Sequence, residues 1–125
     1  MDELKKIKIL HVDDEADTLK VVKTILEKEG YEVTSALNGT DALKQIDKNG
    51  FSLVILDIML PGMSGWDLFT HIPKIRPTCD IIFLTIVDIS EDTLKELKFA
   101  GLKDYIKKPF DNDDFVSRIK KVLAE

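Results

Sequence analysis

Five times along this chain a short strand-like run gives way to an amphipathic helical stretch, and that alternation limits the available folds more than any other feature. Lys6 to Val12 alternates and then turns apolar before Asp13-Asp14-Glu15. From Asp17 to Glu29 the residues Leu19, Val22, Ile25 and Leu26 recur at helical spacing, and Gly30 is placed to end that helix. Tyr31 to Ala36 predicts a second strand. Asn38-Gly39-Thr40 supplies a turn and cap before a helix from Asp41 to Lys48. Phe51 to Asp57 and Ile81 to Val87 are nearly continuous apolar runs, as expected of strands buried on both faces. Helices are expected over Gly65 to Ile75, with Pro73 set to kink or shorten it, and over Glu91 to Ala100, capped by Ser90 and closed by Gly101. A fifth strand, Leu102 to Lys107, and a fifth helix, Asp113 to Ala124, complete the pattern.

Strands separated by helices run parallel, and right-handed crossovers lay helices on both faces of the sheet. The expected fold is therefore α/β, a doubly wound parallel sheet. Five βα units of about 25 residues use up all 125 residues, so residues 1–125 are expected to form a single domain whose output passes through a partner. Acids outnumber bases by 23 to 18, a balance that argues against direct binding of nucleic acid, since phosphates call for a basic surface. A single cysteine, Cys79, permits no intrachain disulfide, and no run reaches the ~18 apolar residues of a membrane span. A cytoplasmic location without membrane contact is the expectation.

In a sheet of this kind the ligand site forms beyond the C-terminal ends of the strands. The residues there are Asp13 and Asp14 after the first strand, Asp57 closing the third, Thr85 near the end of the fourth, and Lys108-Pro109 after the fifth. Three converging carboxylates repel one another unless a cation neutralises them, and a hard divalent ion such as Mg²⁺ suits oxygen ligands with room left for water and a phosphoryl group. Lys108 can hold a phosphate oxygen and Thr85 offers a hydroxyl donor. A carboxylate can serve as nucleophile in phosphoryl transfer, forming an acyl phosphate. No Gly-rich phosphate loop is present, so a nucleotide is not the expected donor.

The segments HVDDE (11–15), LVILDIMLPGMSGWDL (53–68), FLTIVD (83–88) and DYIKKPF (104–110), in this order and spacing, resemble the signatures of response-regulator receiver domains of two-component signalling. The resemblance implies a flavodoxin-like (βα)5 sheet of order 2-1-3-4-5. It implies Asp57 as the phosphoacceptor, fed by the phosphohistidine of a sensor histidine kinase or phosphotransfer protein. Mg²⁺ would be held by Asp14 directly, Asp13 largely through water, Asp57, and the backbone carbonyl of Met59. Lys108 would contact the phosphoryl group from a cis Lys108-Pro109 peptide. Thr85 and Tyr105 would form the switch pair that remodels the face of helix 4, strand 5 and helix 5 for an unidentified downstream protein. The domain is then no enzyme in the ordinary sense; it assists its own phosphorylation and autodephosphorylation.

Asp104 and Arg118 stand where winged-helix relatives place one pair of a dimer salt-bridge set, which raises a phosphorylation-dependent homodimer. Ile86 follows Thr85 where the family usually has a small residue, and its bulk is expected to narrow access to Asp57; Met59 and Val87 are apolar where polar residues are frequent, and since neither can orient an attacking water, slow autodephosphorylation is the expected result. A haloacid-dehalogenase-type phosphatase would need a second Asp at position 59. A flavodoxin would need a phosphate loop in place of HVDDE, and a non-phosphorylated pseudo-receiver would lack part of the acid, Thr and Lys set. Outside the set, His11 is expected to pack or hydrogen-bond, and His71 and Lys107 to be solvated. Trp66, Phe69 and Phe99 are expected to pack, Cys79 to be a small buried or loop residue, and Lys5-Lys6 to be solvated charge.

Overall fold

A computed structural model describes residues 6–124; Lys5 lies outside them. The elements run β1 (Lys8–Val12), α1 (Ala16–Lys28), β2 (Glu32–Ala36), α2 (Gly39–Lys48), β3 (Leu53–Leu56), α3 (Gly65–Ile75), β4 (Asp80–Thr85), α4 (Glu91–Phe99), β5 (Asp104–Lys107) and α5 (Asn112–Ala124). The strands form one parallel sheet of order β2-β1-β3-β4-β5, so the polypeptide reverses its direction of build between β1 and β3. This is the flavodoxin-like doubly wound sheet that the alternation and the resemblance led one to expect.

Alternate strand residues divide between two apolar layers, as a period of two requires. Leu10, Val12, Val54, Leu56 and Phe83 face α2 and α3, where they meet Ala42, Ile46, Leu68 and Ile72. Ile9, Leu53, Ile55, Ile82, Leu84 and Ile106 face α1 and α5, where they meet Val22, Leu26, Phe115, Ile119 and Val122. Each side chain fully buried this way contributes roughly 1.5–3 kcal/mol. Helix starts are fastened by local polar groups. Asn38 accepts a bond from the Asp41 N–H, Ser64 and Asp67 form a reciprocal capping box, and Ser90 accepts from the Thr93 N–H. Gly30 and Gly101 take φ of 94° and 118° just past α1 and α4, a conformation that costs other residues.

Several boundaries differ from the sequence-based expectation. The fourth strand stops at Thr85, leaving Ile86 and Val87 in the loop, because the pairing of Thr85 with Lys107 ends the ladder and the Thr85 hydroxyl accepts the Val87 N–H at 3.3 Å. Pro73 does not shorten α3, which continues to Ile75. It sits in the last turn, where few bonds remain to lose, and the Arg76 guanidinium ties this end to α2 by donating to the carbonyls of Ile46 and Asp47 at 3.1 Å each. Phe99 does not pack: it is 96% exposed. Leu94 and Leu97 carry the inward stripe of α4, and a residue two positions past Leu97 points to the far side of the helix. Trp66 and Phe69 do pack, both against Phe83, with ring centroids 5.3 and 5.7 Å away. Among the described residues no helix is long and apolar enough to cross a membrane.

Candidate functional site

The C-terminal ends of β1, β3, β4 and β5 bring Asp13, Asp57, Thr85 and Lys108 together. Asp57 lies one residue past β3, and its backbone N–H donates to the Val12 carbonyl at 3.0 Å, so the neighbouring strand places the carboxylate. Asp13 and Thr85 are fully buried and Asp57 is 5% exposed, whereas Asp14 is exposed. Buried acids are costly unless bonded and paired, and here both are. The Lys108 ammonium lies 2.7 Å from Asp13 Oδ2 and 3.1 Å from Asp57 Oδ2. The other oxygen of Asp57 accepts the Thr85 hydroxyl at 2.8 Å and the Met59 N–H at 3.1 Å. The other oxygen of Asp13 accepts the Glu15 N–H at 2.9 Å.

Burial pushes the Asp13 carboxyl above the ordinary carboxylate range, against the opposing pull of its bond to Lys108. Burial by itself would lower the Lys108 ammonium, but its bonds to Asp13 and the two carboxylate charges outweigh that and hold it above the usual lysine value. One carboxylate oxygen from each of Asp13, Asp14 and Asp57 lies within 4.8 Å of the others. Three hard oxygen donors this close, one of them open to solvent, fit the ligand chemistry of Mg²⁺.

A line of hydrogen bonds leaves this centre. The Thr85 hydroxyl, bonded to Asp57, also accepts the Val87 N–H. The Tyr105 hydroxyl donates to the Val87 carbonyl at 2.6 Å and accepts the Ile89 N–H at 3.3 Å. Thr85 and Tyr105, singled out in the sequence, are therefore joined through the backbone of the β4–α4 loop. The Lys108-Pro109 peptide is cis. Met59 and Ile86 are 60% and 61% exposed at the rim. Lys107 points away from the centre and pairs with Asp88, and His71 is exposed. Asp104 and Arg118 pair within the chain at 3.1 Å, with Arg118 also bonded to Asp114 at 3.1 Å and to the Tyr105 carbonyl at 3.2 Å.

Two residues matter more than the sequence reading assigned. A Cβ on Gly65 would lie 2.3 Å from the Asp57 carbonyl oxygen and 2.7 Å from Ile58 Cα, so the start of α3 can close onto the acid's own backbone only with glycine there. The Pro61-Gly62 loop signalled a turn, but nothing local signalled that approach. His11 is buried, as expected, but it does not hydrogen-bond: neither ring nitrogen has a partner among the described residues. Its register partners across the sheet are Ile55 of β3 and Ser35 of β2. Burial, then the charge of Lys108, hold its pKa down at about 3, against a smaller pull from Asp57.

The profile of the response regulator receiver domain matches residues 9–120. The chain is 38% identical over 122 residues to the uncharacterized transcriptional regulatory protein YkoG of Bacillus subtilis, a match covering 98% of this chain and 53% of that protein. It is also similar to the crystal structure of a CheY-like response regulator receiver domain protein from Methanospirillum hungatei, with a TM-score of 0.88, 36% identity and coverage of 96% and 95% of the two chains. The response regulator TrrA of Thermotoga maritima, solved in complex with Mg²⁺ and BeF, matches with a TM-score of 0.80 and 35% identity over 93% of this chain and 98% of that one. The chain spans about half the length of the curated relatives it matches.

Proposed function

Because the chain belongs to the family of response regulator receiver domains, we propose that it is a switch in which Asp57 accepts a phosphoryl group from the phosphohistidine of a sensor histidine kinase or phosphotransfer protein. The observation that carries this reading is the Asp57 carboxylate itself. It is nearly buried, held on one oxygen by Thr85 and the Met59 N–H, and set on the other against Lys108. An Asp57 oxygen attacks phosphorus in line; its new O–P bond forms as the N–P bond breaks, and the imidazole nitrogen keeps the electron pair and is protonated from solvent. Lys108 offsets charge on one equatorial phosphoryl oxygen, and the Thr85 hydroxyl can turn from the carboxylate to donate to another. Asp13, Asp14, Asp57 and the Met59 carbonyl would hold Mg²⁺, which when bound supplies further neutralisation of phosphoryl charge.

Moving the Thr85 hydroxyl disturbs the Val87 segment that Tyr105 holds. The added charge thereby biases the α4–β5–α5 face, and a downstream protein reads that face. The deciding experiment is incubation with acetyl phosphate and Mg²⁺ followed by intact-mass analysis. Wild type gains one phosphoryl group, Asp57→Asn gains none, and equal labelling of the two would defeat the assignment. The acyl phosphate is expected to be long-lived, because the apolar side chains of Met59 and Val87, two residues past Asp57 and Thr85, cannot orient an attacking water. A decay half-life of seconds would reject that part of the reading.

A further inference from the structure

Lys107 and Lys108 stand side by side at the end of β5 and serve different neighbours. Lys108 reaches the carboxylates of Asp13 and Asp57, whereas Lys107 forms an ion pair with Asp88 in the loop between β4 and α4. The two partners of that pair are anchored unequally. Lys107 is fixed in the ladder: it is the register partner of Thr85, and the N–H of Lys108 donates to the Thr85 carbonyl at 2.9 Å. Asp88 sits between Val87 and Ile89, the two residues whose backbone the Tyr105 hydroxyl holds, and its carboxylate has no partner but Lys107 among the described residues. Among those residues, no other ion pair ties this loop to the sheet.

We propose that the Asp88–Lys107 pair is an autoinhibitory latch: it holds the β4–α4 loop in the unphosphorylated arrangement, opposes loading of Asp57, and opens when the Thr85 hydroxyl turns to the phosphoryl group. This role presupposes Asp57 as the phosphoacceptor. When the Thr85 hydroxyl leaves the Val87 N–H, the loop moves and carries Asp88 with it, while the ladder keeps Lys107 in place. A contact made in one arrangement and lost in the other shifts the balance between them, and by linkage it weakens binding of any group that favours the second. For an exposed pair that shift is about two- to fivefold, enough to tune a switch without locking it. Both residues are exposed, so the latch weakens as ionic strength rises.

Equilibrium binding of beryllofluoride, a phosphoryl mimic, to the unphosphorylated chain with Mg²⁺ present tests this, followed by ¹⁹F NMR. Lys107→Met and Asp88→Ala, both at exposed positions outside the core, are each expected to lower the apparent dissociation constant about two- to fivefold at low salt. The two substitutions change the net charge in opposite senses. A general effect of charge on an anionic ligand would therefore move the affinity in opposite directions, whereas loss of the latch moves it the same way in both. Asp88→Lys combined with Lys107→Asp should restore the wild-type constant, and at about 1 M salt wild type and the single variants should converge. Opposite shifts, unchanged affinity in both single variants, or a reversed pair that binds as tightly as they do would each overturn the latch while leaving Asp57 in its role. A wild type that binds no beryllofluoride would overturn the reading of Asp57, and the latch with it.

Discussion

The two edges of the helical layers are held very differently. On one side α5 buries Phe115, Ile119 and Val122 against the sheet, and Phe110 stacks on Phe115 with ring centroids 4.7 Å apart. On the other, α4 buries no residue at all; it rests on the half-buried Leu94 and Leu97 and is tied by the Tyr105 hydroxyl to the loop that precedes it. Both helices flank β5, yet only α5 is part of the core. The difference makes the α1/α5 layer firm where it flanks β5 and leaves α4 the more weakly held of the two helices.

Truncation tests that contrast most strongly. Phe115→Ala is expected to cost about 3–5 kcal/mol, as is usual for a fully buried aromatic, whereas Leu97→Ala on the half-buried face of α4 should cost only about 1 kcal/mol. Urea denaturation of the two variants measures both. Equal losses would mean that α4 is as much a part of the core as α5.

The firm layer nevertheless carries a flaw. His11 faces the α1/α5 side with both nitrogens unbonded, and replacing it with Leu should raise stability by about 1–3 kcal/mol, the range for relieving an unsatisfied buried polar group. The sign of its pH dependence follows from the depressed pKa. Below the unfolded value of 6.5 the unfolded chain takes up a proton that the folded chain, with His11 near 3, refuses. Stability contributed by neutral His11 is therefore full above 6.5 and falls by up to about 1.4 kcal/mol per pH unit toward 3. Asp13, raised by burial, works in the opposite direction in the acid range, so the cleanest readout is the difference between wild type and His11→Leu in chelator-treated samples. Parallel pH profiles for the two would show that His11 is solvated or bonded after all.

The fold was readable because its determinants are local and periodic: two continuous apolar runs in β3 and β4, helical stripes between them, and Asn38, Ser90, Gly30 and Gly101 as stops and starts. The convergence of Asp13, Asp57, Thr85 and Lys108 followed from topology, since parallel strands deliver their ends to one edge. What could not be read were features set by distant partners. Ile86 and Val87 continue an apolar run, and only the end of β5 and the Thr85 hydroxyl show that the strand has stopped. Gly65 reads as a helix start until the Asp57 backbone is seen to occupy the space of its Cβ. Phe99 misled because aromatic residues usually pack, and its position relative to Leu94 and Leu97 was the available signal against that.

The smallest expected effect sharpens the comparison most, because it separates holding α4 from stabilising the fold. Tyr105→Phe keeps the ring and removes one hydroxyl, and with it the bond to the Val87 carbonyl and the acceptor for the Ile89 N–H. Global stability should drop by only about 1 kcal/mol, the net value of such bonds at a half-buried position. Amide exchange should instead rise locally, at Ile89 and through the first turn of α4, while the amides of α5 and of the central strands keep their protection. If α5 exchanges faster to the same degree, the two edges open together and the division of labour between them is wrong. If neither changes, α4 is held by Leu94 and Leu97 alone, and the Tyr105 hydroxyl is not what connects the loop to the helix.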